Sequence, residues 1–317
     1  MNIIVFSYNR ALQLHAFLNS FYRHFNAPQF EVNVIYNSGG GKYEEAYQQL
    51  IDEYPQAKFT RRHKIERISA KYFFTYKKNA YRYFKHKNLR NHLTNFKELV
   101  ENIVAGSPYD AVAFFTDDSI FYRDISVDGG IIKEVENDTR FGTVYSLRHG
   151  LNIHPQPLSL HHYDRSNYAW NVLSSPAELA HWTHIFSIDG HVYPRRLLMP
   201  ILKKLNYVNP NSFEGFVNDY MVKECGNVCN KLVFPEQSVL IGFELNKVQT
   251  FASNNNLNFS VEYLNDKFLQ GFRLQYLYDE SNVNDFRPHL DGIEFVHAGT
   301  GVSESISFEK NYELSLF

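Results

Sequence analysis

Asp117 and Asp118 are adjacent carboxylates at the end of an apolar run, residues 111–115, separated from it only by Thr116. A carboxylate is rarely left dry without a partner or a metal. At the mouth of a parallel sheet the pair would create a strongly negative spot. Hard, oxygen-seeking divalent ions suit such a spot, and Mg2+ is commonly shared between a carboxylate and substrate phosphates. Turns and helix caps use Asp too, so the residue types leave both readings open. Two other polar turns follow apolar runs: Ser7, Tyr8, Asn9 and Arg10, and the stretch from Asn37 to Gly41. Other candidate ligands are weaker. Cys225 and Cys229, the only cysteines, have no further ligands near them in sequence and read as reduced structural thiols. His161 and His162 are neighbours whose side chains point apart on a strand.

The elements that must position these turns follow from periodicity. Residues 2–7, 31–36, 58–61 and 111–115 are apolar or alternating runs of strand length. Residues 11–25, 43–54, 70–87 and 95–104 between them read as helices, the second closed by Pro55 and the last by Gly106-Ser107-Pro108. Strands alternating with helices indicate a parallel, Rossmann-like sheet. Ligands bind such sheets at the carboxyl ends of the strands, so the three polar turns should converge on one cleft. The second half is less regular. Residues 143–147, 184–188, 233–242 and 292–297 read as strands or strand and loop, and 194–205 and 213–223 as helices. Asp189-Gly190 fits a hairpin turn. No linker divides the 317 residues, so one α/β domain is expected.

Net charge is −2, unevenly spread: between Lys58 and Lys97 thirteen Lys or Arg face one acid, Glu66. Aromatics interleave there, as in Phe59, Tyr72, Phe73, Phe74 and Tyr76. The segment reads as a solvated helix face, as a patch for anionic lipid headgroups or an anionic acceptor, or, least well, as a nucleic-acid surface. Tyr and Phe abundance, 22 and 27 residues, fits a sugar-lined cleft or a plain compositional bias. No apolar run reaches the roughly 18 residues of a membrane span. The first residues read as a strand and not as a signal peptide, which discounts the acceptor patterns Asn137-Asp138-Thr139 and Asn258-Phe259-Ser260 as glycosylation sites.

The segment Val112-Ala113-Phe114-Phe115-Thr116-Asp117-Asp118-Ser119-Ile120-Phe121 resembles the metal-binding segment of the GT-A glycosyltransferases. Ile3-Ile4-Val5-Phe6-Ser7-Tyr8-Asn9-Arg10 looks like that fold's first strand and nucleotide-contacting turn, above all in family-2-like bacterial enzymes. Phe186-Ser187-Ile188-Asp189-Gly190-His191-Val192-Tyr193 looks like its acceptor-side loop. Asn209-Pro210-Asn211-Ser212-Phe213-Glu214-Gly215 is similar to the segment supplying the base of inverting members, and Val296-His297-Ala298-Gly299 resembles a C-terminal metal-completing His. The likeness spans roughly residues 2–300, and the order of the motifs carries it. Three departures stand out: Thr116 replaces the first Asp of the commoner motif, Asn37 replaces an Asp, and Gly215 replaces the Asp of a Glu-Asp pair.

The resemblance implies an α/β fold of GT-A type: a mixed, mainly parallel sheet flanked by helices, with an acceptor-side subregion. Residues 1 to about 125 would bind the nucleotide, and 126–317 the acceptor. It implies a nucleotide-sugar donor, a UDP-sugar foremost, and a glycan or lipid-linked acceptor in bacterial surface polysaccharide synthesis. Ser7, Tyr8, Asn9, Arg10, Asn37, Asp117 and Gly190 would contact the donor. Asp118, Asp117 and His297 would hold Mn2+ or Mg2+, which neutralises the leaving diphosphate. Glu214 would take the acceptor's proton for inverting transfer. The bland alternatives remain: Glu214 in the first turn of a helix, His297 as a core histidine, Tyr8 and Arg10 as cap and surface. Two other functions compete. A nucleotidyltransferase would carry a Gly-rich basic loop after its first strand, which this chain lacks. A non-catalytic sugar- or membrane-surface-binding module would tolerate the Thr116 and Asn37 departures. Nucleic acid is not an expected partner. The expected place is the cytoplasm, at the inner face of a membrane if segment 58–97 meets lipid.

Overall fold

The computed structural model describes residues 1–65, 73–74, 77, 93–127, 129–172, 180–225, 231–247 and 257–308. The helix expected over 70–87, most of the basic segment, and Cys229 lie outside the described residues.

The chain opens with β1 (Asn2–Tyr8), α1 (Ala11–His24), β2 (Phe25–Asn26), β3 (Glu31–Asn37), α2 (Lys42–Glu53) and β4 (Ala57–Arg61). After the basic segment come α3 (Phe96–Gly106), β5 (Ala111–Thr116), β6 (Ser119–Phe121), β7 (Ile125–Ser126), α4 (Gly129–Asn137) and β8 (Val144–Ser146). The second half holds β9 (His161–His162), β10 (Asn167–Asn171), β11 (His191–Pro194), α5 (Arg195–Lys204), α6 (Pro210–Tyr220), β12 (Lys231–Pro235) and β13 (Leu240–Gly242). It ends with α7 (Val261–Leu269), β14 (Phe272–Leu277), β15 (Gly292–His297) and β16 (Ser303–Ser307).

One nine-stranded sheet runs β4-β3-β1-β5-β11-β8-β12-β10-β9. The first four are mutually parallel, β11 and β10 run against the rest, and seven of the nine strands therefore share one direction. This is the mixed, mainly parallel sheet flanked by helices that the sequence implies.

Alternate residues of β1 enter different cores. Ile3 and Val5 pack with Leu14, Phe17, Leu18 and Leu50 of α1 and α2. Ile4 and Phe6 pack with Phe96, Val100, Leu198 and Phe213 of α3, α5 and α6. A strand covered on both faces needs apolar side chains at every position, which is why β1 and β5 read as unbroken apolar runs. α7 and the three-stranded sheet β14-β15-β16 lie on the α1 face. Among the described residues no helix is long and apolar enough to cross a membrane.

The expected strand at 184–188 is corrected. Those residues are bends and loop, and the strand is β11, at 191–194. Ile185, Phe186 and Ile188 are buried as a strand's would be, so the apolar signal is real but its backbone is irregular. The turn at Gly190 (φ +83) leads into β11, which pairs with β5 and β8.

Candidate active site

β1 leads through α1 to β3 on one side, while β5 lies on its other side. Chains leaving the carboxyl ends of β1 and β5 therefore diverge and open a crevice between them. Ser7, Tyr8, Asn9 and Arg10 stand at one lip, and Thr116, Asp117 and Asp118 at the other, in register through Phe6 and Thr116.

Arg10 bridges the two aspartates. Its Nη1 donates to Asp117 Oδ1 and Asp118 Oδ2, both at 3.1 Å, and its Nε donates to Asn246 Oδ1 at 2.8 Å. Its Nη2 donates to the Asn246 carbonyl. Burial works against the Arg10 charge, but the two carboxylates overcome it and raise its proton affinity. Burial raises the Asp117 carboxyl to about 6 against the pull of Arg10. Asp117 Oδ2 is buried without a hydrogen-bond partner, while the Asp118 side chain keeps 23% of its surface exposed at the mouth. Asn246 arrives through β13, which pairs with β6. Phe243 N–H then donates to the Asp118 carbonyl at 2.8 Å, laying residues 243–247 against the pair.

The β3 side supplies the neighbouring groups. Asn9 adopts φ +54, a conformation Asn tolerates better than most residues. Its Oδ1 accepts from Gly39 N–H at 2.8 Å and its own N–H donates to the Asn37 carbonyl. Tyr8 is exposed at this mouth, and Asn37 is partly so. Ser7 Oγ is engaged with Tyr47 OH at 2.6 Å. Arg62, just past β4, faces Tyr8 and Tyr47, and burial pulls its proton affinity down. Among the described residues its Nε has no hydrogen-bond partner and no carboxylate pairs with it.

A second carboxylate centre adjoins the first. Thr116 Oγ1 donates to Asp189 Oδ1 at 2.7 Å, and Arg148 Nη1 donates to Asp189 Oδ2 at 2.5 Å. Ser187 Oγ accepts from Asp189 N–H at 3.1 Å and donates to Glu214 Oε1 at 2.9 Å; Ile188 N–H donates to the same oxygen at 3.0 Å. The Asn209–Ser212 capping box, with Pro210 as the first helical residue, starts α6. Glu214 thus lies beyond the first turn, and its partners belong to the 187–188 loop. Phe213, against Phe114 and Phe186 at 5.1 Å each, fixes α6 beneath β5. Burial first, then the Asp189 charge, push the Glu214 carboxyl up to about 7. Glu244, paired with Arg287 at 2.6 Å, is also raised by burial and feels both Asp118 and Asp189.

Gly190 contributes the turn. It is buried, its N–H donates to Phe114 and its carbonyl accepts from Leu147. A Cβ there would meet Leu240 Cδ2 at 2.6 Å. His297 lies elsewhere. Its Nδ1 accepts from Gly299 and Thr300 N–H, and its ring meets Phe272 edge-on. On β14 it pairs with Phe272, four residues from Tyr276, which feels the Asp118 charge. Four strand residues span roughly 13 Å. Among the described residues no three His, Cys, Asp or Glu gather as a metal site. The structure therefore brings together Arg10, Asp117, Asp118 and, through Thr116 and Asp189, Glu214; it does not bring His297 to them.

Asp189 was read only as part of a loop motif, and Arg148, Asn246, Arg62 and Glu244 gave no signal as single residues. Among the described residues, five carboxylates (Asp117, Asp118, Asp189, Glu214, Glu244) and four guanidiniums (Arg10, Arg62, Arg148, Arg287) line the region, an excess of one acid.

No protein-family model and no curated protein matches the chain. Among solved structures, S. aureus TarS overlaps 85% of this chain at 14% identity and a TM-score of 0.43, and this chain spans 42% of it. S. aureus TarS 1-349 in complex with UDP-GlcNAc overlaps 85% of this chain and 70% of its own at 15% identity and a TM-score of 0.44. WbbM, a bifunctional glycosyltransferase in its apo form, overlaps 72% of this chain and 37% of its own, with 15% identity and a TM-score of 0.33. Overlaps this shallow assign neither family nor function.

Proposed function

We propose that this chain is a nucleotide-sugar glycosyltransferase that moves a sugar from a nucleoside-diphosphate donor, a UDP-sugar first, to a hydroxyl of a glycan or lipid-linked acceptor. One observation carries the reading. A half-buried carboxylate whose proton affinity is raised to about 7, Glu214, is joined through Asp189 and Thr116 to an acidic centre at the sheet's switch point. A base poised near the working pH is what activating a hydroxyl requires.

The charge balance supports a divalent cation as co-ligand. The carboxylates of the donor end repel a nucleoside diphosphate, and Mn2+ or Mg2+ arriving with it would offset that repulsion. Asp118, open at the mouth, and Asp117, with its unpaired buried Oδ2, fit an ion that needs one or two carboxylates plus substrate phosphates. When bound, the ion would stabilise charge on the leaving diphosphate.

The chain's own residues do the rest. Arg10 bridges the aspartates and holds them in place. Arg62, half-buried near Tyr8 and paired with no carboxylate among the described residues, supplies positive charge for the phosphates. Asn37 can hydrogen-bond base or ribose, and Tyr8 offers a ring face. Glu214 takes the acceptor proton, and attack opposite the leaving group inverts the anomeric centre. Bacterial surface glycan assembly, with segment 58–97 against a membrane, is the setting we propose. The test is release of nucleoside diphosphate from a panel of nucleotide sugars with Mn2+. Release from one donor class, abolished in Glu214→Gln, is expected; no release from any donor, with or without added acceptor glycans, would overturn the reading.

A further inference from the structure

Glu214 and Asp189 are unequal partners. Asp189 has a guanidinium on one oxygen, Arg148 at 2.5 Å, and the Thr116 hydroxyl on the other at 2.7 Å. Among the described residues Glu214 receives neutral donors alone, the Ser187 hydroxyl and the Ile188 N–H, both on Oε1. Two carboxylates in one dry site do not ionise together readily, and the one nearer the cation ionises first. The geometry therefore divides the roles: Asp189 holds the guanidinium, and Glu214 carries the mobile proton.

The loop enforces that division. Ser187 Oγ takes the Asp189 N–H and gives its own proton to Glu214, so one three-residue turn spaces the two acids. Gly190, which Leu240 and Phe115 leave no room for a Cβ, fixes the turn's exit. Arg148 is itself held, its guanidinium 4.8 Å from the Phe286 ring centroid.

We propose that Asp189, clamped between Thr116 and Arg148, is a positioning residue that makes Glu214 the proton-accepting carboxylate of the site. The inference rests on the glycosyl-transfer reading for its chemical purpose, but the division of charge stands on the geometry. Other groups face the pair as well. His184 feels Arg148 and Asp189, His191 feels Arg148 and His184, and burial holds both histidines toward the neutral form. Glu244 adds negative charge near Asp189, offset by Arg287. Thr116 immediately precedes Asp117, so the same clamp ties the pair to the donor end of the crevice.

The test is a carbon-13 NMR titration of the full chain with labelled glutamate, the Glu214 signal being assigned by its loss in Glu214→Gln. In Asp189→Asn the neighbouring charge is gone, and the Glu214 midpoint should fall by about one pH unit or more. In Arg148→Gln the compensating cation is gone, and the second deprotonation of the pair should rise. Opposite displacements support the proposal. A midpoint in Asp189→Asn within about 0.3 pH units of the wild type, or displacement of both variants in the same direction, would overturn it. Hydrolysis of UDP-GlcNAc across pH separates this inference from the broader one. If Glu214 acts in transfer, the acid limb of the rate follows the NMR midpoint in each variant. Opposite NMR displacements without turnover of any nucleotide sugar would remove the glycosyltransferase reading and leave the charge division intact.

Discussion

The two carboxylate centres use the same chemical groups in opposite ways. At Asp117 and Asp118 a guanidinium sits directly between the acids, 3.1 Å from each, and Arg10 is itself caged by Asn246. At Glu214 the guanidinium stops one residue short, on Asp189. The first arrangement makes an ion-paired anchor. The second leaves an acid whose proton comes and goes near neutral pH. Buried charge is costly: burial raises both Asp117 and Glu214, and Arg10 offsets part of that cost by bonding Asp117 directly, while Glu214 has Arg148 only beyond Asp189.

The sharpest way to break this comparison is Glu214→Gln, which keeps shape and removes the base. Donor turnover should fall by roughly 100- to 10,000-fold, read as released nucleoside diphosphate. Arg10→Ala attacks the other centre. It leaves Asp117 buried and uncompensated, so unfolding in urea should show a loss of about 3–5 kcal/mol. If Arg10→Ala proves neutral, the anchor description fails.

Glu214→Gln also carries a stability signature of opposite sign. The native carboxyl is raised from its ordinary value to about 7, so its protonated form is favoured by folding. That contribution is present below the unfolded-state value and is lost as pH rises to 7. The Gln variant should therefore be more stable than wild type at pH 8, on the order of 2 kcal/mol, with the gap shrinking toward pH 5. Thermal melts at both pH values read it. Gly190→Ala is the smallest of the set. Its positive φ and the 2.6 Å approach to Leu240 should cost about 1–3 kcal/mol and misplace Asp189, lowering turnover without removing either acid.

Legibility in the sequence followed the same divide. The β1–β5 half was readable because strands buried on both faces are apolar throughout, and the breakers at Asn37–Gly41 and Gly106–Pro108 stop them cleanly. The pattern alone places Asp117, Asp118 and the Ser7–Arg10 turn on one crevice. Glu214 was reached through its motif, and its helix was legible. The second centre was not. Asp189 meets Thr116 across 73 residues of chain, and Arg148 meets Asp189 across 41, with no periodicity to announce either contact. β11 inserts beside β5 from a distant part of the chain, and the apolar loop before it imitated a strand. His297 follows a strand and precedes a glycine turn, as expected, but register on β14 carries it away from the aspartates. Pattern reports which elements form; long-range register decides which polar side chains meet.

The most direct test of the central claim is a thermal-shift measurement with UDP-GlcNAc, with and without Mn2+, on the wild type and Asp118→Asn. A ligand that binds only the folded state raises the melting temperature. A shift that requires Mn2+ and disappears in Asp118→Asn is the predicted result. A folded protein that melts at the same temperature with UDP-GlcNAc and every other nucleotide sugar, metal present or absent, would contradict the account.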